Sequence, residues 1–208
     1  MKKFFLLLEF SIIFVISPIL VFFFPFYVPK IPLLLLVTLY VIFVLIKSKN
    51  FSKRHFWNKK PLKKYLAAII IKSFVGIAAI CTLTLILSPQ TLFIFPKKKP
   101  FIFLLVLILY PILSAYPQEI IYRTFLFHRY KEIFNKSWMK ITVSSLVFSL
   151  MHIVFKNWIA PILTLFGGLI FSITYKQTRS LLVVSIEHSI YGLILFTFGL
   201  GHYFYKGF

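Results

Sequence analysis

Tyr116-Pro117-Gln118-Glu119-Ile120-Ile121-Tyr122-Arg123-Thr124-Phe125-Leu126-Phe127 closes an apolar run that starts at Phe101, and it sets a carboxylate and a guanidinium into hydrocarbon. The run is longer than the roughly 20 residues a helix needs to cross a bilayer. The chain has no Asp and four Glu, at Glu9, Glu119, Glu132 and Glu187, so an acid among Ile, Tyr and Phe points to a specific role. Arg123 follows Glu119 by four residues, one helical turn, and can face it.

The rest of the chain repeats the apolar pattern. It has 208 residues, 60% hydrophobic and 20% aromatic, with a mean hydropathy of +0.93. One soluble core cannot hide that much apolar surface, so the sequence predicts an integral membrane protein. Apolar runs at 4–27, 31–46, 66–88, 101–127, 141–158, 159–175 and 181–200 predict an all-α, polytopic bundle of about seven spans. None alternates as barrel strands do. Pro29 and Pro32 make the first link a tight hairpin, and Pro89, Pro96 and Pro100 bracket the link before the fourth run. The opening Met1-Lys2-Lys3 resembles a signal peptide, but its apolar run is too long and lacks a small-x-small cleavage site, which predicts a retained anchor.

A net charge of +20 would suggest nucleic acid in a soluble domain. Here the cations cluster between apolar runs, where they set topology and meet anionic lipid, so no nucleic-acid partner is expected. With the N-terminus inside, sixteen Lys and Arg fall on the cytoplasmic side and six (Lys30, Lys97, Lys98, Lys99, Lys156 and Lys206) outside. That bias predicts a multi-pass protein of the plasma (inner) membrane with a cytoplasmic N-terminus. The loop 47–65 mixes Phe51, Phe56 and Trp57 with eight cations, as an element on the inner leaflet would. Lys72 sits inside a span, near enough to its end to snorkel. Cys81 offers no disulfide and no thiolate metal site, and reads as buried packing.

Two more spans carry titratable groups, His152 and His188. At about 1.5 Å per residue, Glu119, His152 and His188 lie about 12, 16 and 11 Å from the inner ends of their spans. Ionisable groups at that depth are expensive, and three at one level make a functional site the default reading. A desolvated Glu is a stronger base, one imidazole can share an activated water or bind a metal, and the other can donate to an oxyanion. The chemistry suggested is hydrolytic. A divalent metal such as zinc on Glu119, His152 and His188 remains open, although the His-Glu-x-x-His helix is absent. A Ser-His-Asp triad is impossible without Asp, and no Ser sits in a Gly-x-Ser-x-Gly elbow. Glu187 points about 100° from His188 and reads either as a group supporting the site from behind or as a helix–helix contact. Glu9 reads as packing against a neighbouring helix, His55, His128 and His202 as interfacial, and Gly167-Gly168 as a close helix approach.

Three short motifs in order resemble the CPBP intramembrane protease family, which includes CAAX prenyl endoproteases and bacteriocin-processing or immunity proteins. Gln118-Glu119-Ile120-Ile121-Tyr122-Arg123 resembles the family's Glu-Glu-x-x-x-Arg, Phe148 to His152 matches Phe-x-x-x-His, and His188 to Gly192 resembles a final His-x-x-x-Asn. The resemblance covers about residues 101–200. It implies a core over 101–208 preceded by spans in 1–100, all in one integral domain. It also implies cleavage of a peptide or membrane-anchored protein near the cytoplasmic face. Carried over residue by residue, it implies that Glu119 and His152 activate water, His188 stabilises the oxyanion, and Arg123 orients the acidic motif.

Two positions depart from the family pattern. Gln118 stands where the family usually has its water-activating acid, and Gly192 stands where a side-chain amide would help hold the oxyanion. Either Glu119 takes over the base, with the Gln118 amide available as a substitute donor, or the chain is a silent member acting in immunity or partner binding. A third reading is a proton-coupled transporter that uses the same polar set as a relay.

Overall fold

The computed structural model describes residues 2–24 and 29–205 of the chain. Expectations for 25–28, Met1 and Lys206 lie outside the described residues. The described residues are helical, with no strand among them. Six helices are long and apolar enough to cross a membrane: α1 Lys3–Phe23, α2 Lys30–Lys47, α4 Leu62–Leu87, α6 Pro100–Arg129, α7 Ser137–Phe155 and α8 Ile159–Thr178. A shorter apolar helix, α9 Leu181–Thr197, matches the seventh predicted run. Two short helices, α3 Arg54–Trp57 and α5 Ile94–Lys98, lie in the connections.

Exposed side chains on the long helices are overwhelmingly Leu, Ile and Phe, such as Phe74, Ile86 and Phe101. That inversion of a soluble surface is what lipid requires, because apolar side chains lose nothing by facing acyl chains. Polar groups and small residues are turned inward instead. Ser172 Oγ donates to Ser144 Oγ at 3.0 Å, and Ser144 Oγ donates to the Tyr122 carbonyl at 2.7 Å, tying α8 to α7 to α6. Gly168 marks a close approach of α8 to α7. A Cβ there would sit 3.0 Å from Ser145 Cα. The expected close approach is therefore at Gly168, while a Cβ on Gly167 would meet only the Phe171 ring of its own helix.

Helix α6 is the axis of the bundle, and it is not a regular α-helix. It carries π turns at Pro111–Ala115 and Ile120–Phe125. Pro111 has no N–H to give to the α ladder, which accounts for irregularity at the first turn. In the second, Ile120, Ile121, Tyr122, Arg123, Thr124 and Phe125 are all buried, on every side of the helix. Helices α1 and α2 cover its far end. Phe14 meets Tyr122 edge-on at 5.7 Å and Phe10 meets Tyr130 at 5.2 Å.

The in-span charges are paired. Glu9 accepts two bonds from Arg129, from Nε at 3.0 Å and Nη2 at 2.8 Å, and one from the Tyr40 hydroxyl at 3.4 Å. This matches packing against a neighbour. Lys72 departs from the snorkelling expectation: its Nζ pairs with the fully buried Glu187 and lies 3.4 Å from Thr174 Oγ1. Inward pairing keeps Glu187 from standing alone in a low-dielectric interior. It also makes Glu187 the helix–helix contact expected from its direction, joining α9 to α4. Cys81 is half-buried rather than fully buried, since this turn of α4 lies at the bundle's edge.

The basic loop packs onto the bundle as well as carrying its cations. Phe51 packs against His128 at 5.0 Å, Trp57 stacks on Tyr116 at 5.5 Å, and Ser180 Oγ donates to the Asn58 carbonyl at 2.6 Å. His128 Nε2 lies 2.8 Å from Ser48 Oγ.

Candidate active site

The three motif helices converge. Glu119 and Arg123 come from α6, Phe148 and His152 from the end of α7, and His188 from the middle of α9. Glu119 and Arg123 have no exposed surface, and His188 and His152 keep 5% and 8% of theirs. The site is a closed polar pocket in an apolar bundle, where charge interactions are little screened.

Glu119 is its centre. Its Oε1 accepts from His188 Nδ1 at 2.7 Å. Its Oε2 lies 3.2 Å from Arg123 Nε, close enough for an ion pair but without hydrogen-bond alignment, so Oε2 keeps an unused acceptor. Arg123 Nη2 donates to the Gly168 carbonyl at 3.3 Å, and the guanidinium lies over the Phe148 ring at 4.4 Å and the Phe171 ring at 5.5 Å. Two aromatic faces and one carboxylate are good company for a buried cation. Burying Glu119 and Arg123 as a neutral pair avoids the larger cost of burying either charge alone.

A carboxylate only accepts, so the proton in the Glu119–His188 bond belongs to Nδ1 and the His188 Nε2 carries a lone pair. The imidazole is held flat against Phe171, at 4.6 Å and 16°, with the Phe148 ring edge-on at 5.6 Å.

His152 is reached differently. The α-helix of α7 gives way to a 3₁₀ turn at His152–Phe155, and His152 Nδ1 lies 2.7 Å from the Phe148 carbonyl. A carbonyl also only accepts, so His152 likewise presents an unprotonated Nε2. Its ring packs on Phe148 at 4.7 Å. Phe148 thus touches both imidazoles and the guanidinium, a concrete reason for an aromatic residue one turn before His152.

The structure brings Glu119, Arg123 and His188 into direct contact, and joins His152 to them through the Phe148 ring. Glu119 makes its bond to His188, with His152 turned to its own helix. Among the described residues no group of three His, Cys, Asp or Glu side chains is placed to hold a metal ion. Glu119 is turned to His188 and Arg123, while the Nε2 of each imidazole keeps the lone pair that a metal would take, its Nδ1 being held by a hydrogen bond.

The two departing positions have structural counterparts. Gln118 Nε2 donates to Ser114 Oγ at 2.8 Å, and its buried Oε1 has no partner. At Gly192 a Cβ would collide with the phenol of Tyr110. Tyr110 also meets the His188 ring edge-on at 6.1 Å and the Phe196 ring at 5.5 Å. Sequence reasoning missed Tyr110, which lies nine residues before Glu119. On a regular helix that separation points the two side chains about 180° apart. The intervening π turn inserts an extra residue per turn and rotates Tyr110 toward the motif face.

Residues 100–194, just under half of the chain, match the family model described as type II CAAX prenyl endopeptidase Rce1-like. No curated protein and no solved structure matches the chain. The matched segment contains Glu119, Arg123, Phe148, His152 and His188.

Proposed function

We propose, on the match of residues 100–194 to the type II CAAX prenyl endopeptidase Rce1-like model, that the protein is an intramembrane endopeptidase that hydrolyses a peptide bond of a prenylated or otherwise membrane-anchored substrate. The observation that carries this reading is the buried contact between Glu119 Oε1 and His188 Nδ1 at 2.7 Å, beside a second imidazole.

In this reading Glu119 acts through His188. The carboxylate fixes the Nδ1–H tautomer and stabilises the imidazolium that forms when Nε2 takes a proton. The water oxygen bonds to the scissile carbonyl carbon, its proton passes to His188 Nε2, and the carbonyl electron pair moves onto oxygen. His152 Nε2 accepts the second water hydrogen and orients the attack. The C–N bond then breaks, the His188 proton goes to the departing nitrogen, and an acid and an amine result. Arg123 pairs with Glu119 and offsets its charge in the bundle. Glu119 thereby changes from the direct base that the motif suggests to the charge partner of the base.

Cleavage of a prenylated CaaX-box peptide by purified protein in liposomes tests this. Loss of cleavage in Glu119→Ala, His152→Ala and His188→Ala is the expected result. Unchanged cleavage in Glu119→Ala and His152→Ala would refute it.

A second reading rests on Gln118, whose amide is committed to Ser114 and cannot take a proton. In that case the chain is a silent family member that protects or binds a partner. Partner binding that survives all three alanine substitutions, with no cleavage by the wild type, would select it.

A further inference from the structure

Both imidazoles of the pocket present acceptors. His188 gives its Nδ1 proton to Glu119 and His152 gives its Nδ1 proton to the Phe148 carbonyl, so neither neutral ring has an N–H left for the reaction. Gln118 spends an amide proton on Ser114. Arg123 gives one Nη2 hydrogen to the Gly168 carbonyl and is pinned by its charge to Glu119 and two aromatic rings, although its Nε and Nη1 make no hydrogen bond. A tetrahedral intermediate carries an oxyanion that needs a donor in place before the charge develops.

Tyr110 supplies a free one. Its hydroxyl makes no hydrogen bond among the described residues, and it occupies the space that a side chain at Gly192 would take. Residues 188 and 192 are one turn apart on α9, so a group beside Gly192 lies next to the His188 imidazole. The ring is held edge-on between His188 and Phe196. The π turn at Pro111–Ala115 directly after it sets its direction. Gly192 is the only size of residue that fits there, since even a methyl group would overlap the phenol.

We infer that Tyr110 is the oxyanion donor of this site, its phenolic O–H entering from α6 into the place that a residue-192 side-chain amide would otherwise fill from α9. This rests on the endopeptidase reading above. It assigns the third motif's glycine a positive role: Gly192 is the socket for Tyr110. The substrate carbonyl then lies between the Tyr110 hydroxyl and the His188 and His152 Nε2 atoms, so the donor is on one side of the carbonyl carbon and the activated water on the other.

The test is steady-state cleavage of the prenylated CaaX-box peptide by wild type, Tyr110→Phe, Tyr110→Ala and a Tyr110→Ala/Gly192→Asn double variant. Tyr110→Phe keeps the ring packing and removes only the donor. The expected result is a fall in kcat of about 100-fold with KM unchanged, the usual scale for losing one oxyanion donor. The double variant should regain at least tenfold over Tyr110→Ala alone, because the amide enters the space the ring has left. Wild-type cleavage with Tyr110→Phe equal to it would overturn the assignment and leave the endopeptidase reading standing. A fall in Tyr110→Phe that appears as a raised KM at constant kcat would also overturn it, since that marks binding rather than transition-state stabilisation. No cleavage by the wild type would overturn both.

Discussion

His188 Nδ1 lies 2.7 Å from Glu119 Oε1, and the two residues come from helices that are 69 positions apart in sequence. The bond fixes which imidazole nitrogen is available and puts a negative charge behind it. Glu119→Gln keeps the size of the side chain and can still offer an oxygen to Nδ1, but it withdraws the charge that stabilises imidazolium. Peptide cleavage should drop by about 100-fold or more in kcat. Kinetics on protein shown by circular dichroism to remain helical would check it, and a variant within twofold of wild type would contradict the role.

Glu187 has no exposed surface and is paired to Lys72, whose side chain keeps 38% of its own. Replacing Lys72 with Met leaves a carboxylate alone in the bundle and should cost about 3 kcal/mol of stability. Replacing both, as Lys72→Met/Glu187→Leu, removes the stranded charge and should recover most of that loss. Thermal unfolding in detergent distinguishes the cases. If the single and double variants melt together below wild type, the pair is not what the loss measures.

Much of this arrangement is legible in the sequence, for physical reasons that can be named. Bilayer thickness fixes the length of an apolar run, so all seven runs return as helices. The cost of a charge in hydrocarbon makes Glu119, Arg123, His152 and His188 conspicuous, and they gather in one pocket. Directions around a helix are less legible. A regular 100° step fails across the π turns of α6, which hides Tyr110 from the motif face and makes Gly192 look like a deficiency. Side-chain length alone does not place Lys72. A side chain long enough to reach an interface is also long enough to reach an acid on the next helix, and only tertiary packing decides between them.

Gly168 sits at a close approach of α7 and α8, with Ser145 Cα 3.0 Å from the position of an added Cβ, and its carbonyl holds Arg123. Gly168→Ala should push the helices apart, at a cost of about 1–3 kcal/mol from overpacking. The same shift moves the Arg123 acceptor, so cleavage should fall together with the melting temperature. A substitution with neither effect would mean that the two helices separate freely at this point.

His55 lies in the basic loop between Phe51, which packs on its ring at 5.7 Å, and Trp57, which stacks on Tyr116. Burial, and then the Arg179 guanidinium, hold its pKa below the usual 6.5. A His whose folded pKa is depressed binds fewer protons folded than unfolded. Its contribution to loop docking is therefore complete above about pH 6.5 and is lost as pH falls through the depressed value. Acidification should release the loop, seen as faster hydrogen exchange over 51–60 and a change in Trp57 fluorescence. His55→Gln, which cannot charge, should hold the loop in place across the same range. If both proteins lose the loop at the same pH, protonation of His55 is not the trigger.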